Sequence, residues 1–259
     1  AVQVADAQTK TPEAAKKAVE SAEAASKDAK KAAKVATWTK LASAYMDAYN
    51  APAGNAWLGA TKQELQLLMA GQQPVSVEEA VVGGEPLVKE VYADKEFYFN
   101  GAGQLVIINV TKPVVEDALG GALEAYKKAY EVDVKKSKTK DINEGLAIIA
   151  RKYLDEGMNS YQFGDLAKAS ELFEKAAEAA ATEPYAQVDT TAIYNAGYTA
   201  WAGKNYERAK TFFERCLDVK YYYEGGEVFA KLGDVYTNLG DAKKGAETLE
   251  KGFVMFPQS

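Results

Sequence analysis

No histidine occurs in the 259 residues, and Cys216 is the only cysteine. The first absence removes histidine-dependent nucleophile triads and histidine metal sites; the second leaves no zinc-cysteine cluster and no disulfide within the chain. Too little remains from which to build an ordinary catalytic or metal centre, so the chain reads as a non-enzyme without cofactor or metal. No apolar run approaches the roughly 18 residues of a membrane span. The longest, Leu105 to Val110, has strand length. A basic stripe for nucleic acid is missing as well, because 37 acidic residues outnumber 31 basic ones for a formal charge of -6.

What the chain does contain is one pattern written three times. Gly157, Ala169, Phe173 and Ala176 stand at offsets 0, 12, 16 and 19, a spacing repeated by Gly197, Ala209, Phe213 and Cys216 and again by Gly233, Gly245, Leu249 and Gly252. Agreement at four landmarks in three copies is an internal repeat, which fixes architecture before any single residue is interpreted. A small residue at offset 0 lets one helix lie close on another, and the remaining offsets follow the four-and-three spacing of one helix face. Each copy therefore predicts two antiparallel helices around a turn. The turns are Phe163-Gly164-Asp165, Gly203-Lys204-Asn205 and Leu239-Gly240-Asp241, where glycine supplies a conformation that other residues resist. Cys216, at a landmark, reads as a small buried apolar residue and not as a reactive thiol.

Several of these residues carry a family resemblance. Through Leu232-Gly233, Tyr236, Gly240-Asp241 and Pro257 in the last copy, Gly197 and Tyr206-Glu207-Arg208-Ala209 in the middle one, and Gly157 with Gly164-Asp165 in the first, the chain resembles the tetratricopeptide repeat family. Gly245, Gly252 and Cys216 depart from the family's usual alanines, and the copies are spaced wider than its period of about 34 residues. The surplus fits the inter-repeat turns around Thr182-Glu183-Pro184 and Tyr221-Tyr222-Tyr223. The resemblance implies a mostly α fold, a right-handed α-α superhelix or solenoid, acting as a scaffold for a protein or peptide partner. It also implies that the first helix of each pair lines a concave groove. Carried over by position, that face holds Leu154, Met158 and Tyr161, then Tyr194, Asn195, Tyr198 and Trp201, then Lys231, Asp234, Thr237 and Asn238. Aromatics with a polar tip suit an extended peptide or the flat face of a sugar. Packing between neighbouring repeats competes with groove exposure for Tyr194 and Tyr198; Trp201 leans to the groove.

The rest of the chain divides around the repeats. Residues 1–35 read as a loose leader followed by a capping helix that starts at Thr11-Pro12-Glu13. Residues 36–132 read as a degenerate repeat. Its first helix runs from Lys27 to about Tyr49 through Trp38, Leu41 and Tyr45; its second starts near Val114 with Ala122, Tyr126 and Ala129 at landmark spacing. Between them, residues 50–113 form an insertion. It opens on a helix capped by Thr61 and Glu64, with Leu65, Leu68 and Met69 as its apolar face, and continues as a small antiparallel sheet of four strands: Pro74 to Val82, Leu87 to Tyr92, Glu96 to Phe99 and Gln104 to Val110. Lys135 to Lys140 read as a solvated link before a helix capped by Asp141. Residues 141–259 then hold the three repeats, at about 150–184, 190–223 and 226–259.

Other motifs fall short of chemistry. The span from Gly197 to Lys204 is one residue too long for a phosphate-binding loop, Gly101 and Gly103 lack a third glycine, and Asn109-Val110-Thr111 is only a glycosylation tripeptide. Glu78-Glu79 and Asp94 with Glu96 read as solvated acids. Two alternative functions stand beside the peptide scaffold. One is an assembly subunit that self-associates through Phe253, Met255 and Phe256 of the last repeat, which lacks the polar capping helix that such stacks need. The other is a carbohydrate-binding module centred on Trp201. Because the chain starts at Ala1 and not at methionine, removal of an upstream export signal is expected. With it comes a resemblance to exported repeat proteins of Gram-negative bacteria, periplasmic or outer-membrane-associated, the alternative being cytoplasmic.

Overall fold

Small side chains set the first packing contacts in this protein. A computed structural model describes residues 9–69 and 71–258, so all but Thr9 and Lys10 of the leader expected from Ala1 to Lys10 lies outside the described residues. Among those described are eleven α-helices, two short 3-10 turns and one four-stranded antiparallel sheet. The chain divides into two compact units, Ala1–Gly145 and Leu146–Ser259.

In the first unit, α1 (Pro12–Lys27) begins where Thr11 accepts from the Ala14 N–H at 3.2 Å, and it buries Ala15, Val19 and Ala22. These small residues let it lie close on α3 (Val35–Asn50). The single helix expected from Lys27 is broken by Asp28, whose carboxylate accepts from the Lys31 N–H at 2.9 Å and starts the short α2 (Ala29–Ala32) instead. Trp38 then fastens the break, its indole N–H donating to the Ala32 carbonyl at 2.8 Å. The partner of α3 is α5 (Ala118–Val132), distant in sequence but packed along it. A Cβ on Gly121 would come within 2.8 Å of the Tyr45 ring. Helix α5 starts after the expected Val114, because Asp117 takes a left-handed conformation (φ 47°) and caps the Gly120 N–H at 3.2 Å.

Between these helices lie a 3-10 turn (Ala51–Ala53), α4 (Lys62–Leu68) and strands β1 (Ser76–Val82), β2 (Glu85–Val91), β3 (Lys95–Phe99) and β4 (Leu105–Val110), paired in chain order. The Thr61–Glu64 capping box forms as expected. One cluster gathers Tyr92, Phe97, Phe99 and Leu105 with Leu65 and Ala60; a second gathers Val82, Leu87, Tyr98 and Ile107. Leu68 does not join the α4 apolar face and is 40% exposed, because a helix of seven residues presents only Leu65 and the following Met69 to the sheet. Lys95 is buried, its ammonium 3.0 Å from Asp94 and over the rings of Tyr92 and Phe97. Helix α6 (Thr139–Gln162) takes its cap from upstream of the expected Asp141. The Asp133 carboxylate accepts from Ser137 N–H and Oγ at 3.0 Å each and from the Lys138 N–H at 2.8 Å.

The second unit contains the end of α6, then α7 (Leu166–Ala181), α8 (Thr190–Ala202), α9 (Tyr206–Asp218), α10 (Glu227–Asn238) and α11 (Ala242–Met255). Each landmark glycine faces the residue 16 positions on. A Cβ would meet Phe173 at 2.7 Å from Gly157, Phe213 at 3.0 Å from Gly197 and Leu249 at 2.7 Å from Gly233. Ala169, Ala176, Ala209 and Cys216 are fully buried on the same faces, and burial pushes the Cys216 thiol up to about 12. Asp165, Asn205 and Asp241 cap the three second helices at 3.1, 3.2 and 3.0 Å. The turns differ from expectation at one place: Gly164 and Gly240 are left-handed, but in the middle turn that position is Lys204 (φ 60°), while Gly203 closes α8 at φ -82°.

Candidate functional site: an aromatic groove

Helix α8 presents Tyr194, Tyr198 and Trp201 at steps of four and three, which puts all three rings on one face. Consecutive rings lie 6.1 Å apart, nearly parallel at 25°, and then 6.0 Å apart at 42°. Tyr161 of α6 meets Tyr198 edge-on at 6.1 Å. Tyr223, left-handed at φ 57°, stacks its ring on Tyr194 at 4.1 Å and 8°. Together with Met158, Phe173, Asn195, Thr199 and Glu227 these four tyrosines line a cavity of about 320 Å³.

Its electrostatics come from few groups. Glu227 accepts from the Tyr194 hydroxyl at 3.1 Å and pairs with Lys231, whose ammonium lies 4.5 Å from the Trp201 ring centre and 5.3 Å from that of Tyr198. The Trp201 indole N–H donates to Asp234 at 2.7 Å. Burial, then the Glu227 charge and hydrogen bond, push the Tyr194 phenol well above its usual range. The hydrogen bond with Tyr161, then burial, do the same for Tyr198. Tyr194 and Tyr198 therefore stay neutral at physiological pH.

Of the groove positions expected from the sequence, Met158, Tyr161, Tyr194, Asn195 and Tyr198 line this cavity. Trp201, Lys231 and Asp234 join it at one rim through the contacts above. Tyr194 is 5% exposed and lines the cavity. Leu154 is half-buried one turn before Met158. Asn238 donates to the Asp234 carbonyl and carboxylate at 2.9 and 3.1 Å. Thr237 is exposed, its hydroxyl donating back to Gly233 O at 2.9 Å beside Gly245 of α11. Tyr223 and Glu227 were absent from the sequence expectation. The available signal was spacing, since Tyr194–Glu227 and Trp201–Asp234 are both separated by 33 residues, close to one repeat.

The acidic pairs of the sheet are occupied otherwise. Glu78 pairs with Lys89 at 2.9 Å, a hydrogen-bonded contact that lowers its pKa, and Glu96 accepts from Tyr98 and Asn109 at 2.8 and 3.0 Å. Among the described residues, no group of three or more metal-binding side chains gathers, and no helix is long and apolar enough to cross a membrane. In the last repeat, Phe253 and Met255 are exposed, but Phe256 is not free for a partner. Its ring packs on Tyr222 at 5.8 Å and Phe229 at 6.4 Å, in the space left by Gly226.

Residues 190–222, which hold α8 and α9, match the family model of the tetratricopeptide repeat. Among solved structures, the crystal structure of BtubC (BKLC) from P. vanneervenii is similar, at 15% identity over 93% of this chain and 88% of that one, with a TM-score of 0.35. No curated protein matches the chain.

Proposed function

We propose, from the premise that this chain is a tetratricopeptide repeat protein, that it is a non-enzymatic scaffold which binds an extended segment of a partner protein along the aromatic groove of its second unit. The observation that carries this reading is the cavity walled by Tyr161, Tyr194, Tyr198 and Tyr223. Tyrosine offers large apolar area with only two rotatable side-chain angles, so ordering it against a ligand costs little. In the finer form of the proposal the helix pairs wind as a right-handed superhelix and this groove is its concave face.

The test is a screen of unstructured peptides by fluorescence anisotropy, followed by variants. Tyr161→Ala and Tyr198→Ala should each weaken a hit by about tenfold or more, as central aromatic anchors do, whereas Phe253→Ala should not. Peptide binding that ignores both tyrosine variants would sink the proposal. A second reading, self-association, draws on exposed Phe253 (65%) and Val254 (73%) on α11, beside a cavity of about 600 Å³. It requires a mass that rises with concentration and falls back to monomer in Phe253→Glu. The carbohydrate reading is the weaker one, because the Trp201 N–H is already committed to Asp234 and its ring faces Lys231.

A further inference from the structure

We infer that the tyrosine-lined cavity is a cation site, which selects a partner segment carrying a lysine or arginine side chain. The inference rests on the groove reading and names the chemistry of what enters it. Four tyrosine rings and one carboxylate, Glu227, line the space, and Lys231 reaches it at the rim, already paired with that carboxylate. Neutral aromatic faces attract a cation through their ring quadrupole, most strongly where water is displaced. A carboxylate at the wall supplies the matching full charge.

The protein already displays this chemistry on itself. Lys231 is drawn down onto Tyr198 and Trp201 and pairs with Glu227, leaving its side chain only 12% exposed. Thus Tyr198 and Glu227, which both line the cavity, already hold an ammonium from the rim side. Glu227 uses one oxygen for Lys231 and the other for the Tyr194 hydroxyl. An ionised carboxylate has about four acceptor positions, so capacity remains for an incoming cation. An anionic segment fits less well: Lys231 is already neutralised by Glu227, and Asp234 adds a second carboxylate at the Trp201 N–H. The chain's net charge of -6 favours a basic partner in the same direction.

The experiment uses the full chain and four blocked pentapeptides, acetyl-Gly-Ser-X-Ser-Gly-amide, with X as lysine, arginine, norleucine or glutamate, titrated by proton NMR. Ring-current shifts of the X side chain report entry into the cavity. The lysine and arginine peptides should bind about tenfold more tightly than the norleucine peptide, which has the same apolar stem without the charge. Glu227→Gln should remove most of that advantage, read as the ratio of lysine-peptide to norleucine-peptide affinity within the same variant. Lys231→Met, which frees Glu227 of its internal partner, should tighten lysine binding severalfold; it tests the proposal even if Glu227→Gln fails to fold. Norleucine binding as well as lysine, glutamate binding best, or Lys231→Met weakening the lysine peptide each overturn the cation site while leaving a peptide groove intact. Failure of all four peptides, together with failure of the wider peptide screen, overturns both.

Discussion

Gly157 and Phe173 are in contact through a hydrogen: a Cβ on the glycine would lie 2.7 Å from the phenylalanine ring, which is itself 1% exposed. No rotamer change frees that space cheaply, since interiors are close-packed and Phe173 also forms part of the groove wall. Gly157→Ala should therefore destabilise the second unit by about 1–3 kcal/mol. Urea unfolding midpoints would show it, and adding Phe173→Leu to Gly157→Ala should recover part of the loss. An unchanged midpoint would mean the two helices do not approach this closely in solution.

The close approach of the two helices was legible in the sequence, because a small residue at offset 0 recurs in three copies against one face of a second helix; the pairing of Gly157 with Phe173 was not. Tyr194, Tyr198 and Trp201 were legible through the family resemblance, which assigns the groove to the first helix of each pair; their steps of four and three then put the rings on one face. Tyr223 was not legible. It lay in a run of three tyrosines read as an inter-repeat turn, and only its left-handed backbone (φ 57°) lays the ring on Tyr194. Glu227 was hidden because a first-turn glutamate ordinarily serves the helix dipole. Asp28, Asp117 and Asp133 show the same limit in the first unit, each moving a helix start through a side-chain hydrogen bond that competes with propensity.

Ser170 and Arg208 join three helices. The serine, 1% exposed, donates to the Ala196 carbonyl at 2.8 Å and accepts from the Arg208 Nε at 2.7 Å, while the guanidinium also reaches Ser170 O at 3.0 Å and Glu174 at 2.5 Å. Ser170→Ala leaves the buried Ala196 carbonyl without this donor and should cost about 1–3 kcal/mol. Arg208→Lys keeps the charge but loses the fork that serves three acceptors, so it should lose stability in the same urea assay. Wild-type stability in Arg208→Lys would show that charge alone holds the seam.

Alkaline pH should loosen both units by one mechanism. Burial raises the Cys216 thiol from 9.0 to about 12, and burial followed by the Glu23 hydrogen bond raises the Tyr45 phenol from 10.0 to about 12. A group harder to ionise when folded stabilises the fold fully below its unfolded pKa, and that contribution drains as pH rises toward the folded value. Stability should therefore be flat to about pH 9 and fall between 9 and 12, with Cys216 contributing first. Cys216→Ala should flatten the fall between pH 9 and 10, read as melting temperature against pH; an unaltered profile would place the loss elsewhere.

The middle turn contains a correctable strain. Gly164 and Gly240 occupy the left-handed position of their turns, yet the equivalent residue of the middle turn is Lys204 at φ 60°, with the glycine one place earlier at φ -82°. A side chain in that region costs about 1–2 kcal/mol per residue, and glycine's extra unfolded-state freedom takes back roughly half a kcal/mol or more. Lys204→Gly should thus stabilise the second unit by about 0.5–1 kcal/mol, visible as a higher urea midpoint. Gly203→Ala is the control. Its Cβ would meet the Thr199 carbonyl at 3.3 Å, with Leu166 Cβ and the Ala200 carbonyl at ordinary contact distances of 3.5 and 3.7 Å, in a backbone conformation alanine adopts freely, so it should be close to neutral. If Lys204→Gly destabilises while Gly203→Ala stabilises, the lysine side chain, and not its backbone, is what the turn requires.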